Sequence, residues 1–227
     1  MNTGNARIRA AIIAALALLA PAAGRGDDPP APVALFDGKT LEGWKAVTSY
    51  QAGEVKAQGG SIVLGQGGPM TAVACTRPAL PTTDYELSFE ARRVAGEDFF
   101  AAATFPVGAS FLTLVNGGWG GGVTGLSSID GADASENETN RFVKYRNGTW
   151  YRFRIRVTGK AVRCSVDDRE IIALRHDGRH LKTRVEVRGC QPLGFASWRG
   201  SGEIRAITVR ALTAAEVEAA GQIPEVD

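Results

Sequence analysis

The stretch WYRFRIRVTGKAVRCSVDDREII, residues 150–172, decides the fold. From Tyr151 to Val157, apolar Tyr151, Phe153, Ile155 and Val157 alternate with Arg152, Arg154 and Arg156. A period of two places successive side chains on opposite faces of a pleated strand. Gly159-Lys160 interrupts the pattern, and Gly at the first central position predicts a two-residue primed turn. Alternation resumes with Val162, Cys164 and Val166 against Arg163, Ser165 and Asp167. Asp167-Asp168 turns the chain again, and Glu170 to Leu174 supplies a third short strand. The result is a meander with one apolar face, which must be covered by a second apolar layer.

Working outward, the same grammar recurs. Asp84 to Val94 sets Tyr85, Leu87, Phe89 and Ala91 against Glu86, Ser88, Glu90 and Arg92. Phe99–Phe105 and Ala109–Asn116 are apolar at nearly every position, as central strands covered on both sides should be. Ser61–Leu64, Thr71–Cys75, Val185–Val187, Leu193–Trp198 and Ile204–Leu212 complete the expected strands. Thr213 and Glu216 match a capping box, which predicts a short C-terminal helix. The expected architecture is all-β: a sandwich or jelly roll of two antiparallel sheets closed by that helix. Residues 33–212 form one domain, and 213–227 form the helix and tail.

The N-terminus reads as an export signal over residues 1–22. Arg7 and Arg9 precede the apolar run Ala10–Ala20, and Ala20-Pro21-Ala22 is a small-residue cleavage site. The run is 11 residues long, too short for the ~20 needed to span a bilayer. The expectation is a secreted or periplasmic chain, cleaved near Ala22, with residues 23–32 as a Pro- and Asp-containing lead-in and no integral membrane span. Of 26 basic residues, removing Arg7 and Arg9 leaves 24, against 24 acidic ones. That balance argues against nucleic acid as a partner. Cys75, Cys164 and Cys190 make an odd count that leaves any pairing open. His176 and His180 are too few, and no Cys/His cluster accompanies them, for a zinc site.

FDGKTLEGW (36–44), DYELSFEARR (84–93), WYRFRIRVTG (150–159) and GFASWRGSGEIRAITVRAL (194–212), in that order, resemble the 3-keto-disaccharide hydrolase domain family. The resemblance covers about residues 33–212. It implies a concanavalin A-like lectin/glucanase jelly roll and an exported carbohydrate-active hydrolase. In the implied chemistry a C3 ketone acidifies the C2 proton of a sugar, a carboxylate removes it, and the glycosidic oxygen leaves by elimination, followed by hydration. One departure stands out. Many members carry an Asn-Ser-Gly element where this chain reads GEDFFAAATFPVG (96–108). A glycine run and an acidic loop at 117–140 stand out here instead. The missing element and the absence of a matched acid pair leave a lectin-like binding module or a cell-surface adhesion domain as alternatives.

Two groups of residues are candidates for chemistry. The acidic loop offers Asp130, Asp133, Glu136 and Glu138 behind Trp119. An aromatic ring to stack on sugar C–H groups, beside acceptors for hydroxyls, is what a carbohydrate site requires. Asp130 and Asp133 are also hard ligands suited to a divalent cation such as Ca²⁺, although the spacing is not that of an EF-hand. The second group is Glu86-Leu87-Ser88-Phe89-Glu90, which is similar to the Glu-x-Asp-x-Glu strand of family 16 glucanases with Ser at its centre. Glu86 and Glu90 Cα atoms stand about 13 Å apart at strand rise, so their carboxyls must lean together to act as a pair. The expected catalytic residues are Asp130, Asp133, Glu136 and Glu86. Trp119, Glu90 and Arg154 are the expected substrate contacts. Trp44, Trp150 and Trp198 read as packing anchors.

Overall fold

The computed structural model describes residues 28–223. The expected signal peptide, the start of the lead-in and the last four residues lie outside the described residues. In chain order the strands are β1 (Val33–Ala34), β2 (Trp44–Ala46), β3 (Val55–Gln58), β4 (Ser61–Leu64), β5 (Met70–Cys75), β6 (Tyr85–Ala95), β7 (Ala102–Val107) and β8 (Ser110–Gly117). They continue as β9 (Val123–Ser127), β10 (Arg141–Phe142), β11 (Tyr151–Val157), β12 (Ala161–Val166), β13 (Arg169–Arg175), β14 (Gly194–Trp198) and β15 (Ser201–Ala211).

These strands form two antiparallel sheets. The first runs β13-β12-β11-β6-β15-β4-β3, with β1 added to β15; the second runs β10-β9-β8-β7-β14-β5-β2. The meander of residues 150–175 is one edge of the first sheet. Its register pairs Phe153 with Phe89 and Ile155 with Leu87 across β6, and Ile155 with Cys164 across β12. The inner positions of both sheets meet in one core. At its centre Phe89 stacks on Phe153 with ring centroids 5.0 Å apart and meets the edge of Phe195 from the opposite sheet at 4.9 Å. Trp44 closes one end, its indole N–H donating to the Leu35 carbonyl at 2.8 Å. The sandwich and its C-terminal helix, Ala214–Gly221, match the expected fold class. Thr213 Oγ1 accepts from Glu216 N, and Glu216 Oε2 accepts from Thr213 N, which is the predicted capping box. Among the described residues no helix is long and apolar enough to cross a membrane. All three cysteines are buried free thiols.

Three local expectations change. The turn after β11 is held by the Thr158 hydroxyl, which accepts from Lys160 N and Ala161 N, and Gly159 does not adopt a positive φ. The side chain, rather than the glycine, directs this turn. The Asp167-Asp168 turn has both residues at positive φ, 47° and 67°, the pattern of a primed hairpin turn. Second, Val185–Val187 belongs to a 3₁₀ helix, Val185–Cys190, instead of a strand. It packs across the outer face of the second sheet, where Val187 and Cys190 join Met70, Ala72 and Ala196. A segment lying over a sheet face has no ladder partner, so its hydrogen bonds must close locally. Third, the 117–140 region, read as a glycine run and an acidic loop, contains β9, which pairs with β8 through the apolar match Leu114 to Leu126.

Candidate functional site

The two outer faces differ in side-chain size. On the second sheet the cross-strand register aligns small residues: Thr113 opposite Ser127 and Thr104, Val115 opposite Gly125, and Ala196 opposite both Ala102 and Ala72. Because inner and outer residues alternate along each strand, Leu112, Leu114, Phe105 and Leu126 fill the core while this row of Ala, Thr, Ser and Gly faces out. Short side chains cannot fill the space above the sheet, and a cleft of about 210 Å³ opens there. Its floor includes Ala102, Thr113, Val115 and Ser127. Phe99, Trp198 and Trp119 supply aromatic walls, and Asp98, Arg184, Glu186 and Val187 supply the rest. The Phe99 and Trp198 rings lie 5.9 Å apart and tilted by 38°.

Trp119 is set by a packed glycine run. Its own backbone is left-handed, at φ 51°, ψ 49°, a conformation that costs a non-glycine residue roughly 1–2 kcal/mol. Neighbouring Gly121, at φ +106°, approaches Glu97 so closely that an added Cβ would lie 2.6 Å from its carbonyl oxygen. Asp98 ties the turn down: Oδ1 accepts from Phe99 N and Oδ2 from Gly120 N, at 2.8 and 2.9 Å. Behind it, buried Arg93 donates to the carbonyls of Glu97, Asp98 and Tyr145 and to Asn147 Oδ1. The indole is left 45% exposed at the cleft rim. Strained backbone that surrounding contacts over-determine is characteristic of functional sites.

The acidic loop packs over the second sheet beside the cleft. A Cβ on Gly125 would meet Ala134 and Thr139 at 3.0–3.2 Å. Thr139 Oγ1 accepts from Leu126 N, and Asn137 Nδ2 donates to Leu126 O. Three of the four carboxylates of this loop, Asp130, Asp133 and Glu138, face arginines. Asp130 pairs with Arg179 and accepts from His180 N, and Glu138 pairs with Arg179 at 2.6 Å. Its backbone and arginine donors hold the Asp130 carboxyl below the usual range. Asp133 pairs with Arg184 and accepts from Ser128 Oγ, and Glu136 Oε2 accepts from Asp133 N at 3.4 Å. Arg184 then reaches Glu186 at 3.0 Å. The guanidinium holds the Glu186 carboxyl below its ordinary range, so it is ionised at neutral pH. Asp133 therefore connects to the cleft through Arg184, whereas Asp130, Glu136 and Glu138 are not among its lining residues. Among the described residues no three His, Cys, Asp or Glu side chains gather as a metal-holding group.

Glu86, Glu90 and Arg154 lie elsewhere, on the outer face of the first sheet. Glu86, only 8% exposed, accepts from Arg156 Nε at 2.7 Å and Arg210 Nε at 3.2 Å. Glu90 pairs with Arg205 at 2.8 Å, and Arg154 with Asp168 at 2.6 Å. Their alternate neighbours Leu87 and Phe89 fill the core, so the whole sandwich separates these three residues from Trp119. Trp150 is outside the core as well, with Arg92 and Arg205 over its ring at 4.8 and 4.0 Å. Trp198, also expected as an anchor, lines the cleft. The residues the sequence reading missed are Asp98, Phe99, Arg184 and Glu186. Their one sequence signal was the run of small residues at 101–104, whose meaning depends on register.

Several solved structures share this fold. The carbohydrate-binding module CBM66 from Bacillus subtilis aligns over 74% of this chain and 96% of its own, at 11% identity and TM-score 0.52. Crh5 transglycosylase, solved in complex with NAG, aligns over 83% and 90%, at 14% identity and TM-score 0.52. A structure tied to endo-acting O-glycanases of the human gut microbiota aligns over 82% and 99%, at 12% identity and TM-score 0.51. At such identities the likeness is one of fold. No curated protein matches the sequence. The family model described as a 3-keto-alpha-glucoside-1,2-lyase-like domain matches residues 31–210. The chain belongs to that 3-keto-alpha-glucoside-1,2-lyase-like family.

Proposed function

We propose that this chain is an exported carbohydrate-active enzyme that cleaves 3-keto-glycosides in the cleft of the second sheet. The observation that carries the reading is the pairing, in one cleft, of aromatic walls with the Arg184–Glu186 ion pair. Trp119, Phe99 and Trp198 offer apolar ring surfaces to the C–H groups of a sugar. Glu186 is the base: as an ionised carboxylate it takes the C2 proton that the adjacent C3 ketone acidifies. Arg184 faces the ketone oxygen and stabilises the negative charge that develops there. The C2–H electrons form the C1–C2 double bond, and the C1–O bond breaks. The departing oxygen takes up a proton, and water then adds across the double bond. Asp133 holds Arg184 in position. Asp130 and Glu138 secure the loop through Arg179, and Glu136 secures it through the backbone. Asp130 and Asp133, the expected divalent-cation ligands, pair instead with Arg179 and Arg184, and turnover in the presence of a chelator is expected to be unchanged.

Incubating the mature protein with methyl 3-keto-α-glucoside tests this reading. Turnover is expected for the wild type, and a loss of at least about 100-fold for Glu186→Gln with binding retained. Full activity in that variant would overturn the assignment of the base. A second reading, a binding module without catalysis, is favoured by one feature. Both Asp98 oxygens accept backbone N–H groups, and both Glu186 oxygens accept from Arg184. It predicts Trp119-dependent binding of the same sugar with no product.

A further inference from the structure

The outer face of the first sheet carries a pocket of its own, across the sandwich from the cleft. Arg154, Arg156, Arg163, Ser165, Asp168 and Glu170 line it, and its volume is about 220 Å³. The register shows why space opens there. Arg154 stands between Ser165 on β12 and Ser88 on β6, its direct partners on either side. Short side chains flank a long one, which leaves room beside the Arg154 guanidinium. Two residues along, Arg156 stands directly opposite Arg163, and like charges in that position repel. Arg163 is clamped: Nη1 donates to both Glu170 oxygens at 2.8 and 2.9 Å, Nε to Ala220 O and Nη2 to Gln222 O.

The acids of this face are divided among the arginines. Asp168 is shared by Arg152 and Arg154, and Glu86 by Arg156 and Arg210. Arg154 gives only Nη2 to Asp168; Arg156 gives Nε to Glu86 and holds Nη2 3.6 Å from Glu216. Among the described residues, Arg154 Nε and Nη1, Arg156 Nη1 and Ser165 Oγ have no hydrogen-bond partner. No buried side-chain polar atom there lacks one, so these donors are open to solvent. The two guanidinium side chains are nevertheless only 32% and 34% exposed, which strengthens what they bind. The lining carries three guanidiniums and two carboxylates, an excess of one positive charge.

We propose that this pocket is an oxyanion site. A carboxylate, sulfate or phosphate group sits between Arg154 and Arg156, accepts from their free N–H groups and from the Ser165 hydroxyl, and screens the repulsion between Arg156 and Arg163. The group belongs to a sugar acid or to an inorganic or ester oxyanion, and the guanidiniums recognise what these share. The inference is independent of the chemistry assigned to the cleft.

Calorimetric titration of the full mature chain with glucuronate, sulfate and phosphate tests it, at constant ionic strength set with chloride and with glucose as the neutral control. Saturable binding of at least one oxyanion is expected, with Kd on the order of 1 mM. Tighter glucuronate marks a sugar acid as the source, and tighter sulfate or phosphate marks an inorganic or ester oxyanion. Arg154→Gln should weaken binding about tenfold and Ser165→Ala about threefold; the second variant leaves every ion pair in place. Arg152→Gln removes the same charge from the same strand outside the lining and should change Kd less than about twofold. The proposal is overturned if no oxyanion saturates, if glucose binds as tightly, or if Arg152→Gln costs as much as Arg154→Gln, the mark of general surface charge.

Discussion

The two outer faces of this sandwich rest on the same core and have opposite surfaces. On the first sheet long charged side chains cover the strands: Arg92 meets Glu203, Arg205 meets Glu90, Arg156 and Arg210 share Glu86, and Arg163 meets Glu170. The C-terminal helix sits over one end of that face. Arg210 and Arg156 reach Glu216, and Arg163 donates to the carbonyls of Ala219, Ala220 and Gln222 at the helix C-terminus, where a cation is favoured. On the second sheet short side chains leave space, and loops wall it instead of filling it. The lesson is that carboxylates alone do not mark a site in this fold. Glu86 is the most buried acid of its face and is saturated by two arginines, whereas the cleft carries fewer charges but has shape.

Mutations separate the two faces from what they share. The largest effect belongs to the common core: Phe89→Ala should cost about 3–5 kcal/mol in denaturant unfolding, since it empties the space between Phe153 and Phe195. A loss below about 1 kcal/mol would mean that the sheets do not meet there. Next, Trp119→Ala should lower kcat/KM for a 3-keto-glycoside tenfold or more, about 1.4 kcal/mol of binding, with little change in unfolding. Third, Glu86→Ala should do the reverse. It leaves Arg156 and Arg210 with Glu216 as their remaining carboxylate and costs roughly 1–3 kcal/mol of stability, with catalysis intact. Lost turnover in a stably folded Glu86→Ala protein would move the active site to the first sheet.

The smallest effect concerns pH. The hydrogen bonds from Arg210 hold the Glu216 carboxyl down at about 2, below its ordinary value near 4.5. A depressed carboxylate contributes stability that is present above its unfolded value and lost as pH falls through the folded one. The C-terminal helix should therefore loosen between about pH 4.5 and 2, measured by amide exchange of residues 214–221. The partial exposure of this pair keeps the effect small. Glu216→Gln should remove the pH dependence, and an unchanged profile would show that the helix is held by apolar contacts such as Ala220 and Leu212.

Much of the fold was legible because alternation is a local property. Tyr151–Val157 and Tyr85–Val94 each announce a strand with one apolar face, and two such faces require a partner layer. The capping box at Thr213 and Glu216 is equally local. The site was less legible. The sequence singled out Trp119 as an exposed ring, and Asp133 stood in the loop that reaches Arg184. It could not place Glu86 and Trp119 on opposite outer faces, because periodicity states which residues share a strand face and is silent on which sheet a strand joins. Ala102, Thr113 and Ser127 are unremarkable in three separate segments. Only pairing in register makes them one floor, and only the absence of large side chains across neighbouring strands leaves the space in which a ligand fits.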